Sequence, residues 1–221
     1  MIVMPVPADI RTVTVVASES QFHVRADYTE LDRWASVVDG ITRFRHGALS
    51  VTTGTTYGPV SVSIQELDKA PAENVDGWDV ITERDFVSLE SAHPRFPSTG
   101  VHIVNINDSH PEEILTERTG RLRLRFHAAG RAEGRRVGQV SNPVERFLIQ
   151  VWPVEHAFPP RHIHGTDSVM QEILGPTATR VVLPDDENVV ETVTPTPDSP
   201  PPPGAPFRRS RTVHRINPRD H

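Results

Sequence analysis

Apolar and polar residues alternate with a period of two along much of the chain up to Pro153, the signature of strands with one buried and one wet face. The most regular case is RLRLRFHA, residues 121–128. Leu122, Leu124, Phe126 and Ala128 share one face there, and Arg121, Arg123, Arg125 and His127 the other. Residues 146–152, RFLIQVW, are apolar on both faces, which predicts a central, covered strand ended by Pro153. Upstream, TVTVVA (12–17) is rich in β-branched residues, and QFHVRAD (21–27) alternates Phe22, Val24 and Ala26 against His23 and Arg25. ALSVTT (48–53) and VSVSIQE (60–66) flank the turn-prone GTTYGP and predict a hairpin. WDVITERDFVSLE (78–90) reads as one long strand or two, and VHIVNI (101–106) as a further strand. Residues 108–117 form a polar, acidic crossover with room for a helical turn.

Helical spacing is scarce. Leu31, Trp34, Ala35 and Val38 predict a short amphipathic helix over residues 28–38, with Thr29 as its N-cap and Gly40 beyond its end. SVMQEIL (168–174) predicts a second, stopped by Gly175 and Pro176, and TRVVL (179–183) an edge strand. With roughly eight strands, no βαβ alternation and no fixed repeat, the expected fold is all-β, an antiparallel β-sandwich. The expected divisions are a sandwich domain over 1–155, a C-terminal extension over 156–184 that packs on it or is loosely ordered, and a disordered, Pro-rich and basic tail over 185–221.

Composition narrows the chemistry. Cysteine is absent, which excludes a disulfide framework, a thiolate nucleophile and a Cys-based zinc site. No apolar run approaches the roughly 20 residues needed to cross a bilayer. The apolar start lacks a preceding basic region and a cleavage site, so the expectation is a cytoplasmic protein without membrane contact. The net charge of -6 conceals an asymmetry: residues 1–117 hold 18 acidic and 8 basic side chains, residues 118–221 hold 11 acidic and 15 basic. Seven Arg face one Glu between Arg118 and Arg136.

That basic stretch supplies one candidate site. Arg121, Arg123 and Arg125 project to one side of a strand about 7 Å apart, from a rise of about 3.3 Å per residue, and Arg131, Arg135 and Arg136 follow in the adjoining loop. Such a ladder can grip phosphates or carboxylates of an anionic ligand or a nucleic acid. The competing reading pairs these Arg with acidic side chains on a neighbouring strand, and no exposed aromatics are interleaved with them, so nucleic acid is not favoured. A second candidate is RHIHG, where His162 and His164 in an H-x-H spacing could chelate a metal and serve a metal-dependent enzyme. A surface loop explains the same residues. His102, His110, Asp108, Glu112 and Glu113 form a polar group that reads more simply as a turn than as acid-base machinery. No nucleophile elbow, P-loop or dinucleotide fingerprint is present, and no cofactor is expected. Trp34, Trp78 and Trp152 read as core anchors.

The combination of SQFHVRAD, GRLRLRFHAAGR and FLIQVWP resembles a group of uncharacterised small bacterial β-proteins. More distantly it is similar to the competence-associated nuclease inhibitor (ComJ, or Nin) family. The resemblance spans about residues 18–153. It implies a β-sandwich that acts by binding another protein, as an inhibitor or immunity-type factor of a nuclease or toxin, and not by catalysis. The acidic first part of the chain is compatible with that role, and the seven-Arg segment departs from a simple mimic of nucleic acid.

Overall fold

The computed structural model describes residues 10–26, 28–29, 37–45, 48–89, 100–106 and 113–175. Twelve strands and two short helices occupy them. β1 (Ile10–Ser18) pairs along its length with β6 (Tyr57–Glu66), and β6 lies beside β11 (Arg146–Pro153). β11 joins β10 (Gly120–Ala129), which joins β7 (Val80–Leu89), and β12 (Arg161–His164) adds to the edge of β7. The predicted RFLIQVW strand is therefore central, as its two apolar faces require.

After β1 the chain turns through Glu19 and Ser20, both with positive φ (54° and 60°), into β2 (Gln21–Ala26). A two-residue turn of this hand suits a hairpin, yet β1 and β2 share only the Ser18–Gln21 pair before β2 swings away. There β2 lies between β5 (Ala48–Thr52) and β8 (Val101–Val104). β4 (Thr42–Arg45) pairs with β5, and β9 (Glu113–Thr116) with β8. A two-residue β3 (Tyr28–Thr29) returns to hydrogen-bond with β7. The result is one connected, curled sheet, a half-barrel wrapped around its own core.

Mostly-β content agrees with the sequence pattern, but "antiparallel sandwich" does not describe the connections. β11 runs parallel to β6, so the sheet is mixed, and the hydrogen-bonded path from β12 to β4 is continuous rather than split into two stacked sheets. The expected hairpin between residues 48–53 and 60–66 is also absent. β5 pairs with β2 and β4, and β6 with β1 and β11, because long-range register outweighs the turn-prone GTTYGP. Within residues 78–90 the strand is single, Val80–Leu89, and part of the acidic crossover is β9. The predicted helix over residues 28–38 falls largely outside the described residues, as do residues 179–183 and the tail from 185; Tyr28–Thr29 is strand.

The core lies on the inner face, where Phe22, Val24, Leu49, Val51, Ile103 and Leu115 from one half meet Val60, Val62, Phe86, Leu124, Phe126, Phe147 and Ile149 from the other. Phe22 and Phe147 meet edge to face at 5.4 Å. The region beyond residue 155 contributes directly: β12 extends the sheet, and α2 (Ser168–Leu174), ended as predicted at Gly175, buries Val169 and Met170.

The connection between β10 and β11 holds a helix that the sequence pattern does not announce, α1 (Arg131–Val137), bracketed by Gly130 and Gly138 with φ 82° and 77°. Its residues, RAEGRRV, carry no apolar stripe, so tertiary contacts must hold it. Arg131 is completely buried. It binds the Asp167 carboxylate at 2.8 and 2.9 Å and donates to the carbonyl of Gly40 at 2.9 Å. Gly54 sits so close that a Cβ there would lie 1.8 Å from the Arg131 carbonyl oxygen.

Candidate functional site

The alternation of β10 places Arg121, Arg123, Arg125 and His127 on the outer face of the sheet, and the antiparallel register sets Arg123 opposite Asp85 and Arg125 opposite Glu83. Arg123 reaches Asp85 at 2.7 Å and Glu83 at 3.3 Å, and Arg125 reaches Glu83 at 2.7 Å. Arg121 stands 3.7 Å from Asp85. Arg123 and Arg125 are each only 3% exposed. Their remaining N–H groups donate to backbone carbonyls of Phe158 and Pro159, and of Ala72 and Pro71. Arg123 also lies over the Phe158 ring and Arg125 over Trp152.

These guanidinium groups therefore fasten two covering loops onto the sheet, and their donors are directed at protein oxygens rather than at an open surface. Of the other Arg candidates, Arg131 is locked to Asp167 inside, Arg135 is paired with Glu172, and Arg136 with Glu133 along α1. The structure does not bring the six Arg together as one anion-binding surface. Three serve the outer face of β10, one lies in the interior, and two lie on the exposed side of α1.

The histidines take separate places. In β12 the register shifts between His162, opposite Thr82, and His164, opposite Ile81. Thr82 and Ile81 are successive residues of β7, so an irregularity interrupts the strict alternation that H-x-H spacing has in a regular strand. Among the described residues no group of three or more His, Asp or Glu could hold a metal ion. His102 is buried on β8, and residues 107–112 lie outside the described residues.

His127 belongs to the covered part of the outer face. Its Nε2 is 3.0 Å from Gln150 Oε1, while Gln150 Nε2 donates to Gln65 Oε1 at 2.7 Å. That chain assigns the proton to His127 Nε2. Trp78 packs edge-on at 5.2 Å. Burial, aided by the neighbouring Arg125 charge against opposing contributions from Gln150 and Glu83, pulls the imidazole pKa down to about 4. The ring is neutral and structural at neutral pH.

Across β11 the outer face changes character. The register of β1 on β6 sets Ile10 beside Gln65, Thr12 beside Ser63, Thr14 beside Ser61, and Val16 beside Pro59, with Tyr57 at the end of the row. Among the described residues of β1 and β6 no charged side chain stands in this row, in a chain of which 24% is charged, and Arg146 of β11 borders it beside Ser61. Ile10 is 57% exposed, Val16 44% and Tyr57 48%. Thr12 and Ser63 share a hydrogen bond of 2.9 Å. Beside Tyr57 runs the segment after α1: Tyr57 N donates to Gly138 O, Val140 N donates to Tyr57 O, and Val137 and Val144 on its flanks are exposed.

Hydroxyls, one aromatic ring and β-branched side chains lie together on this face of the sheet. Depletion of charge with an exposed aromatic is the composition of an interface centre. Alternation in VSVSIQE marks one wet face in that strand, and TVTVVA reads as a strand from its β-branched residues. Sequence alone does not disclose that the two outer faces adjoin.

No protein-family model and no curated protein matches this chain. Among solved structures, one described as crocagin biosynthetic gene J is similar, at 13% sequence identity and a TM-score of 0.43, over 68% of this chain and 100% of that one.

Proposed function

We propose that this chain is a non-enzymatic protein-binding module that seats a partner protein on the outer face of β1 and β6. The observation that carries this reading is the neutral row from Ile10 to Val16 beside Tyr57 to Gln65, exposed on a body otherwise rich in charge. Tyr57 is the anchor, since a half-exposed aromatic on a rigid strand adds contact area at little entropic cost. The partner presents an uncharged patch of its own. An inhibitor or immunity-type role toward a nuclease or toxin fits the same reading, because the acidic balance of residues 1–117 draws a basic protein toward the chain before the neutral surfaces meet.

The test is a photo-crosslinking side chain placed at position 57, with a control at exposed Lys69 on a covering loop, in the native host. The expected result is one defined protein crosslinked from position 57 and not from 69, which then binds the purified chain in solution. Equal crosslinking from both positions, or none from position 57, contradicts the proposal.

A further inference from the structure

The backbone of β1 carries a second kind of recognition surface, independent of the side chains on its outer face. Tyr57 and Ser61 of β6 direct their main-chain groups away from β1, toward the Gly138–Glu145 side: Tyr57 N donates to Gly138 O, and Ser61 N donates to Glu145 O. Main-chain groups alternate sides along a strand, so the even-numbered residues of β6 are the ones bonded to β1. Through the register these are Gly58, Val60, Val62 and Ile64, facing Ala17, Val15, Val13 and Arg11. The N–H and C=O groups of Thr12, Thr14 and Val16 therefore point out of the opposite edge. Ser18 obeys the same rule, for it is the residue that pairs with Gln21. Among the described residues nothing hydrogen-bonds to the backbone of Thr12, Thr14 or Val16 along that edge, because β2 leaves the plane after one pair.

Proteins blunt an open edge with charge, proline or a bulge. β12 carries Arg161 and a register irregularity, β4 carries Arg43 and Arg45, and β9 carries Glu113. From Thr12 to Ser18 β1 has none of these devices: it is TVTVVAS, β-branched and uncharged, in perfect register with β6.

We infer that β1 pairs antiparallel with β1 of a second copy of this chain, about a two-fold axis at Thr14. In that register Thr14 faces Thr14 and Thr12 faces Val16 of the other copy, so each copy's outward N–H groups meet the other's outward carbonyls. The sequence is self-complementary for this arrangement. Thr–Thr and Thr–Val are favourable cross-strand neighbours, and no like charges oppose one another although each chain carries a net charge of -6. The contact is isologous and closes at two copies. It joins the two neutral outer faces into one surface, and it stands or falls separately from the partner proposed above.

Sedimentation of the full chain over a roughly hundredfold concentration range tests this, since a dimer dissociates by mass action. The expected mass rises from 24.6 kDa to twice that value and stops there. Thr14→Pro removes an N–H that β6 does not use and is tolerated on an edge, so it should yield a folded monomer. Thr14→Lys, which sets two ammonium groups opposite each other, should do the same. Tyr57→Glu should leave the mass unchanged. In the wild-type chain, exchange of the Thr12, Thr14 and Val16 amides should slow as concentration rises, a readout that holds even if Thr14→Pro fails to fold. The inference is overturned by a wild-type mass that stays at one chain or grows past two. A dimer surviving in folded Thr14→Pro, or amide exchange indifferent to concentration, overturns it equally.

Discussion

Arg123 on β10 and Asp85 on β7 stand opposite each other in the antiparallel register and meet at 2.7 Å with almost no solvent access to either side chain. Glu83, two residues along, shares both Arg123 and Arg125. Removing Arg123 leaves two buried carboxylates under-compensated, Glu83 with Arg125 and Asp85 with only the more distant Arg121. Arg123→Ala should therefore cost about 3–5 kcal/mol, read as a lower urea midpoint. Arg136→Ala, which breaks the exposed pair with Glu133 on α1, should leave the midpoint where it is. Equal effects of the two substitutions would contradict the assignment of Arg123 as a buried fastening.

The pH dependence of stability has a distinct source in His127. Its folded pKa of about 4 lies below the ordinary 6.5, so the native state holds the ring neutral while the unfolded chain takes up a proton as pH falls below 6.5. The associated stability is complete above pH 6.5 and is lost between 6.5 and 4. It is on the order of 3 kcal/mol for a shift of this size. His127→Gln keeps a polar group beside Gln150 and should flatten the fall in stability over that window. Parallel curves for the two proteins would place the proton uptake elsewhere.

Asp167 has two tasks, accepting the N–H of Met170 at 2.7 Å as the N-cap of α2 and neutralising the buried Arg131. Asp167→Ala should lose both, for about 3–5 kcal/mol. Asp167→Asn retains a capping oxygen and should cost measurably less in the same denaturation experiment. If the two variants are equally stable, the cap carries none of the effect and the loss of the ion pair carries all of it.

Much of the fold was legible from alternation, β-branched runs and one two-faced apolar run: β1, β2, β7, β8, β10 and β11 lie where TVTVVA, QFHVRAD and their successors place them, and α2 ends at its glycine. What sequence could not supply was adjacency. Glu83 and Asp85 share the period-two spacing of Arg123 and Arg125, but only the register shows that the two pairs coincide and that loops cover them. The residues between β5 and β6 look like a local turn, yet Glu145 accepts the N–H groups of Gly54 and Thr55 from far along the chain, and the strands they join pair with others. α1 was illegible because Arg131, its anchor, is charged and still wholly interior. The neutral face was half legible: VSVSIQE showed one wet face by alternation, TVTVVA showed only β-branched residues, and the union of the two rows is a property of the fold.

Gly54 provides a steric check on the packing of α1. An alanine Cβ would lie 1.8 Å from the Arg131 carbonyl and 2.7 Å from the Arg135 nitrogen, both backbone atoms that cannot swing aside. Gly54→Ala should lower the thermal midpoint by several degrees, in line with about 1–3 kcal/mol for overpacking in a chain of this size. An unchanged midpoint would mean that α1 is not seated against residues 53–56 as described.

The affinity of the partner captured through position 57 for Tyr57→Glu tests the central claim most directly. Tyr57 is half exposed and its substitution should leave the fold intact, while a carboxylate at the end of the neutral row must be desolvated on binding. The account predicts a Kd weakened at least about tenfold, with unfolding midpoints unchanged. A partner that binds Tyr57→Glu as tightly as the wild-type chain would contradict it.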